Sequence, residues 1–229
     1  MKSSAKTAKA AATRDSILGA ARDLFREQGF EPTTMRAIAA KAGVALGSAY
    51  YYFKTKDELV LAFYARTQQG ADEENERIVH RTDDFRTRLD ALLTFKFRQM
   101  RQDRGFVSIL AKSAADPDNP LSPFSPQTRP IRMAAIKLIE DVISGSNIKV
   151  HEDLRPCLAK FLWLYQMGLM FFWIQDRSAN QRVTAKVKDM SLSLIGGMLQ
   201  MTTLPLMNTM NDTLVDLLNN INATLVDQT

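Results

Sequence analysis

Apolar residues recur at helical spacing along almost the whole chain, and the two-residue alternation of a strand is absent. Ile17, Ala21, Leu24 and Phe25 share one face of a helix running from Thr13 to a left-handed cap at Gly29. Pro32, Thr33 and Thr34 restart the chain, and either threonine can N-cap a helix carrying Met35, Ile38, Ala39 and Ala42, closed by Gly43. A short segment follows at 46–53. Thr55 and Glu58 then have capping-box spacing and open a helix through Leu59 and Phe63. Further helices are predicted at 84–101, with Leu89, Leu92, Leu93, Phe95 and Phe97, and at 106–115. Five of the eight prolines crowd into 117–130, a loop that cannot be helical. Helices at 131–143, 154–176 and 183–204 precede a last one at 208–225 with a stripe of Leu214, Leu217, Leu218, Ile221 and Leu225. The pattern predicts an all-α chain without internal repeats.

Composition adds little until its distribution is considered. The 229 residues are 45% apolar and 24% charged, which excludes wholesale disorder and leaves enough apolar surface for an unstapled core. The net charge is +5, but 1–56 holds ten Lys/Arg against four Asp/Glu, so the head carries +6 and the remainder −1. A basic N-terminal module on a near-neutral body suits a polyanion-binding head, and it equally suits a solvated surface. The longest apolar run, 161–174, is shorter than the roughly 18–20 residues that span a bilayer. The expectation is a cytoplasmic protein with no membrane partner. Three segments are expected: a flexible basic arm at 1–12, a helix-turn-helix head at 13–59, and a helical ligand-binding and dimerisation body at 60–229.

Two short helices meeting at Gly43 behind a longer first helix have helix-turn-helix proportions, in which the second helix enters a major groove and the first braces it. Gly47 and Ser48 are small enough to let the backbone approach base edges. Tyr50, Tyr51 and Tyr52 splay over so much of the helix surface that they cannot all be core. Their hydroxyls, with Lys54 and Lys56, can bond phosphates. Val44 and Phe53 read as core of the head, while Tyr52 is open between packing and phosphate contact.

The ordered run from Thr34 through Arg36, Ile38, Ala39, Lys41, Ala42, Gly43 and Val44, then Gly47 to Leu59, resembles the DNA-binding signature of the TetR/AcrR family. The resemblance covers about a fifth of the chain. It implies an all-α homodimer: a three-helix helix-turn-helix head reads half of a palindromic double-stranded operator, and a larger helical bundle dimerises and binds a small inducer. By resemblance Arg36, Leu46, Gly47, Ser48 and Tyr50 face bases, while Thr34, Tyr51, Tyr52 and Lys56 face phosphates or support the helix. Lys6, Lys9 and Arg14 in or beside the arm are candidates for further DNA contacts. Ala45 stands where a capping serine is common, and Leu46 where a polar residue is frequent. Both bear on operator sequence rather than on DNA binding.

In the body, 161–174 is apolar all round, so it must be buried in its own domain and against a partner subunit. By resemblance the last two long helices form a four-helix dimer bundle, where Leu192, Ile195, Leu199 and the Gly196-Gly197 pair fit close packing. A pocket between the helices at 95–100, 106–110, 131–143 and 158–172 is expected to hold an apolar or amphipathic small molecule, lined by Phe97, Met100, Phe106, Trp163, Gln166, Met167 and Met170, with Gln166 orienting it. The alternative is that these residues are plain core. Two histidines without metal-ligand spacing, one cysteine, and no nucleophile-elbow, P-loop or dinucleotide motif point away from enzymes and cofactors. The expected function is a DNA-binding transcriptional regulator, most simply a repressor released by its ligand. The alternative is a DNA-bound protein whose body binds another protein and has no inducer pocket.

Overall fold

In the computed structural model the described residues are 2–226 apart from 115 and 117, without the side chains of 2–7, 69, 106, 109, 110 and 225. Among them the helices are α1 (Lys2–Gln28), α2 (Met35–Lys41), α3 (Leu46–Tyr52), α4 (Lys56–Arg81), α5 (Phe85–Met100), α6 (Arg104–Ser113), α7 (Arg129–Ser144), α8 (Arg155–Gln175), α9 (Arg182–Met201) and α10 (Asn208–Leu225). No strand occurs among them. The expected arm at 1–12 is instead continuous with the first helix from Lys2 onward. Its Ala- and Lys-rich composition consists of strong helix formers, so nothing interrupts the helix before Gly29.

Two apolar cores share α4. The head core gathers Ile17, Ala21 and Phe25 of α1, Ile38 and Ala39 of α2, Ala49 and Phe53 around α3, and Leu59, Val60 and Phe63 of α4. The head therefore packs one turn beyond the boundary expected at 59. Further along, Ala71 and Ile78 join the body core with Leu89, Leu92 and Leu93 of α5, Ile136 and Ile139 of α7, and Leu158, Leu162 and Trp163 of α8. Head and body also meet away from α4. Leu121, in the proline-rich loop and only 4% exposed, packs in the head core. Arg26 of α1 donates to the Gln102 carbonyl at 2.9 and 3.0 Å and pairs with Asp103 at 3.2 Å.

The segment Glu152–Gln175 is long and apolar enough to cross a membrane by length and composition, because an 18-residue window within it reaches a mean hydropathy of 1.4 despite positions such as Tyr165 and Gln166. In this fold its Leu158, Leu162, Trp163, Met167 and Trp173 are buried in the body, while Phe171 and Phe172 stay exposed. Asp176 ends the helix and accepts hydrogen bonds from Ser178 N, Thr184 N and Thr184 Oγ1, which fixes the turn into α9.

The expectation for the interface residues of α9 changes, and α10 adds an inward polar side. Leu192 and Leu199 of α9 are buried in the chain's own core with Ile195 packed against it, so they do not form a free interface. The exposed apolar row is Val183, Val187, Met190, Leu194, Met198 and Met201, on the other side of the helix. In α10 the asparagines are not all outward: Asn211 donates to the Thr202 carbonyl at 2.7 Å and Asn222 to the Cys157 carbonyl at 3.4 Å, as the helix packs on α8.

Candidate functional site

The local chemistry of the head explains why α3 stands out from it. Thr34, in an extended conformation, caps α2 by accepting from Ala37 N at 3.2 Å. The helix ends in a Schellman motif, with Val44 N on the Ala39 carbonyl at 3.0 Å and Gly43 N on the Ala40 carbonyl at 3.2 Å. Gly43 has φ +68°, a value costly for any residue with a side chain. The chain then enters α3 at Ala45 without a side-chain cap. Ala49 and Phe53 anchor α3 to the head core. Beyond it Thr55 caps α4 by accepting from Glu58 N at 3.2 Å, and Glu58 accepts from Lys54 N at 2.7 Å, one residue earlier than a standard capping box.

With α3 anchored on one side, its other faces are open. Gly47 is exposed, Ser48 is half-buried at the rim, and Tyr50 and Tyr51 are 48% and 81% exposed. Tyr51 and Tyr52 meet edge-on with centroids 5.1 Å apart, and Tyr52 also leans on the head core, so it both packs and borders the open face. Arg36 and Thr34 are exposed on α2 and its cap, and Lys54 is exposed after α3. Leu46 is half-buried against the head core. Arg14 lies over the Phe53 ring at 5.0 Å, tying α1 to the end of α3. The side chain of Lys6 lies outside the described residues.

Lys56, a phosphate-facing candidate by resemblance, is engaged within the head in this structure. Its ammonium donates to the carbonyls of Phe30 at 2.7 Å and Glu31 at 3.2 Å, and sits 4.4 Å from the centre of the Phe30 ring. It braces the start of α4 against the turn between α1 and α2.

The body holds a cavity of about 50 Å³ between α4, α5, α7, α8 and the proline-rich loop. Met100, Trp163, Gln166, Met167 and Met170 line it, as the sequence suggests. Phe97 does not: its ring packs on Trp173 at 5.5 Å. The side chain of Phe106 lies outside the described residues. Tyr64, Thr67 and Gln68 of α4, Lys96 and Gln99 of α5, Ile131, Arg132 and Ala135 of α7, and Pro123 and Thr128 ahead of α7 complete the wall. Gln166 is 3% exposed and its Oε1 has no partner among the described residues. Burial pushes the Tyr64 phenol up to about 12, so it remains a donor at neutral pH. The missed polar lining did leave a trace in the sequence. Lys96 falls on the buried stripe of Leu89, Leu92, Leu93 and Met100, and Arg132 on that of Ala135, Ile136 and Ile139, where an uncompensated cation is costly.

Comparison with known proteins places these features. Residues 17–63 match the family model for bacterial regulatory proteins of the tetR family, and residues 88–217 that of the tetracyclin repressor-like C-terminal domain. The transcriptional regulator UidR of Escherichia coli (strain K12) is 37% identical over 59 residues, 26% of this chain and 30% of UidR, so the match spans under a third of that protein. Among solved structures, a TetR-family regulator of Syntrophomonas wolfei superposes with a TM-score of 0.65 at 15% identity, over 80% of this chain and 94% of its own. Thermus thermophilus FadR, a TetR-family repressor solved with lauroyl-CoA, superposes with a TM-score of 0.60 at 19% identity, over 78% and 92%. The two family models describe transcriptional regulators rather than enzymes, and together they account for both halves of the architecture. The chain belongs to the TetR family of bacterial regulatory proteins.

Proposed function

We propose that the chain is a homodimeric, cytoplasmic DNA-binding repressor, released from a palindromic operator when a small apolar or amphipathic molecule occupies the body cavity. The observation that carries the reading is the open face of α3, where Gly47, Ser48, Tyr50 and Tyr51 stand clear of the head while Ala49 and Phe53 hold the helix in place. In this reading Arg36, Gly47, Ser48 and Tyr50 reach base edges, and Leu46 contributes an apolar edge suited to a thymine methyl. Thr34, Tyr51, Tyr52 and Lys54 serve the phosphates. Dimerisation uses the exposed apolar row of α9 together with Phe171 and Phe172 of α8, too much apolar surface to leave in water. It sets two heads on half-sites roughly 34–36 Å apart, or a multiple of that. Coupling runs along α4, whose Phe63 lies in the head core and whose Tyr64 lines the cavity. A ligand acts only by binding better to the conformation that cannot span both half-sites.

Selection of random duplex DNA at near-physiological salt tests the reading. A palindromic consensus, bound by a dimer, is the expected result. Salt-sensitive binding without enrichment refutes sequence recognition. A second reading, in which the body binds another protein instead of an inducer, draws on the cavity size: about 50 Å³ is far below the roughly 300–1,000 Å³ of ligand pockets. Operator complexes that no small molecule releases would favour it.

A further inference from the structure

Among the described residues four cationic side chains are buried in the body, and three of them donate to protein acceptors. Arg88 donates to the carbonyls of Thr82 and Val79 at 2.5 and 2.7 Å. Arg132 donates to the carbonyls of Val226, Pro123 and Ser125 at 2.8–3.2 Å. Lys188 reaches Asp90 and Thr94. Lys96, 7% exposed and in the cavity wall, is shown with no hydrogen bond or ion pair to a described residue. The acid that acts on it is Asp72, exposed on α4 and influencing it only through space. Among the described residues no Asp or Glu lines the cavity, so Lys96 and Arg132 leave it positive. Burial brings the Lys96 ammonium down to about 8, so it stays mainly protonated at neutral pH.

Beside this positive end lies an apolar one. A second recess shares Tyr64, Pro123, Met167 and Met170 with the cavity and continues past Val107 and Ala111 to Ile174. A nearly buried ammonium and the neutral donor of Tyr64 suit one singly charged acceptor group, and the recess, about 10 Å³ as it stands, leads a hydrocarbon past apolar side chains. A phosphate dianion would meet only one uncommitted cation, whereas a carboxylate is matched by it.

We infer that the inducer is an amphipathic carboxylate, its head ion-paired to Lys96 and its hydrocarbon part running along Met167 and Met170 towards Ile174. The inference rests on the ligand-responsive reading above and names the ligand class of that site. Because the cavity is small, occupation must push its wall outward, and Pro123 in that wall is two residues from Leu121 in the head core.

The test uses the full-length chain and probes of matched tails: hexanoate, dodecanoate and 4-phenylbutyrate, each beside its alcohol and its amine. Calorimetry and thermal shift read binding, and operator release is scored separately. At least one carboxylate is expected to bind about tenfold or more tightly than its alcohol, with the amine weaker still. Lys96→Met is expected to remove that preference, so that the acid binds no more tightly than its alcohol, while Lys96→Arg is expected to keep it. No carboxylate binding, equal binding of acid and alcohol, or an acid preference that survives Lys96→Met would each overturn the inference. If a carboxylate binds through Lys96 but does not release DNA, the ligand class stands and the ligand-released repressor reading falls. If neutral compounds alone release the operator, that reading stands and the carboxylate falls.

Discussion

Lys56 offers the sharpest way to separate a brace from a phosphate ligand, because Lys54, two residues away, is exposed and supplies the internal control. In Lys56→Met the alkyl stem persists over the Phe30 ring, but the bonds at 2.7 and 3.2 Å to the Phe30 and Glu31 carbonyls disappear. Hydrogen bonds to a charged group contribute about 1.5–3 kcal/mol, and both carbonyls lie near enough to the surface for water to replace part of that. The cation–ring contact adds about 0.5–1 kcal/mol at such a site. A net loss of about 2 kcal/mol corresponds, for a chain of this size, to a fall of roughly 4–8 °C in melting temperature. Calorimetry of the free protein measures this, and fluorescence anisotropy on operator DNA between 50 and 300 mM salt measures the DNA side. The slope of log affinity against log salt is expected to stay at the wild-type value for Lys56→Met and to drop by about 0.9 per half-site contact for Lys54→Met. An unchanged melting temperature with a reduced slope in Lys56→Met would refute the brace and return its ammonium to the phosphates.

Three further outcomes follow from the body. Lys96→Met is expected to stabilise the protein at pH 7 by up to about 3 kcal/mol, because the ammonium is held at about 8 against an ordinary 10.5. Below pH 8 both folded and unfolded chains carry the proton and the cost is complete; between 8 and 10.5 the unfolded chain alone binds it, so wild-type stability rises with pH. Urea unfolding at pH 7 and 9.5 should show the gap narrowing, and a gap independent of pH counts against the assignment. Gly145→Ala would place a Cβ 2.4 Å from Arg88 Nη1, and Arg88 is fixed by two carbonyls, so a loss of about 1–3 kcal/mol is expected; an unchanged denaturation midpoint would contradict it. Asp176→Asn should lower the melting temperature at pH 7. Donors from Ser178 and Thr184 hold the carboxyl well below the usual range, so its contribution is present above the ordinary carboxylate pKa and lost as pH falls towards the folded value. The deficit should therefore shrink on acidification, and a deficit that does not would refute the role of the charge.

Periodicity and capping chemistry made most helices legible, since Thr34, Gly43 and Thr55 act locally and do in the structure what their neighbours in sequence require. What could not be read is what each buried face packs against. Helix α9 is apolar on two sides, and spacing alone does not say that Leu192 and Leu199 face the chain's own core while Leu194 and Met198 face outward. Long side chains are ambiguous for a related reason. The ammonium of Lys56 reaches carbonyls at Phe30 and Glu31, 26 and 25 residues away, a contact created only by the folding of α1 back on α4. The cavity residues on α8 were visible because they lie in one apolar run, whereas Tyr64, Thr67 and Gln68 sit in a mostly polar stretch of α4 that shows its inward side only once both cores are seen to share the helix.

If the head is released as proposed, the seat of Leu121 in the head core sets a threshold for that release. The head is held to the body by continuous α4, by Leu121 and by the attachment of Arg26 to Gln102 and Asp103. Three separated attachments leave a rigid object no soft rotation, so a change of head orientation has to release at least one of them. Unseating a buried leucine alone costs about 1.5–3 kcal/mol, a factor of roughly ten to a hundred in equilibrium. A ligand that favours the rearranged state by less than that can fill the cavity and leave the heads where they are. Under the proposed release mechanism occupancy and response are separate quantities, and weak analogues that lodge beside Pro123 without dislodging Leu121 are expected to act as antagonists of an inducer.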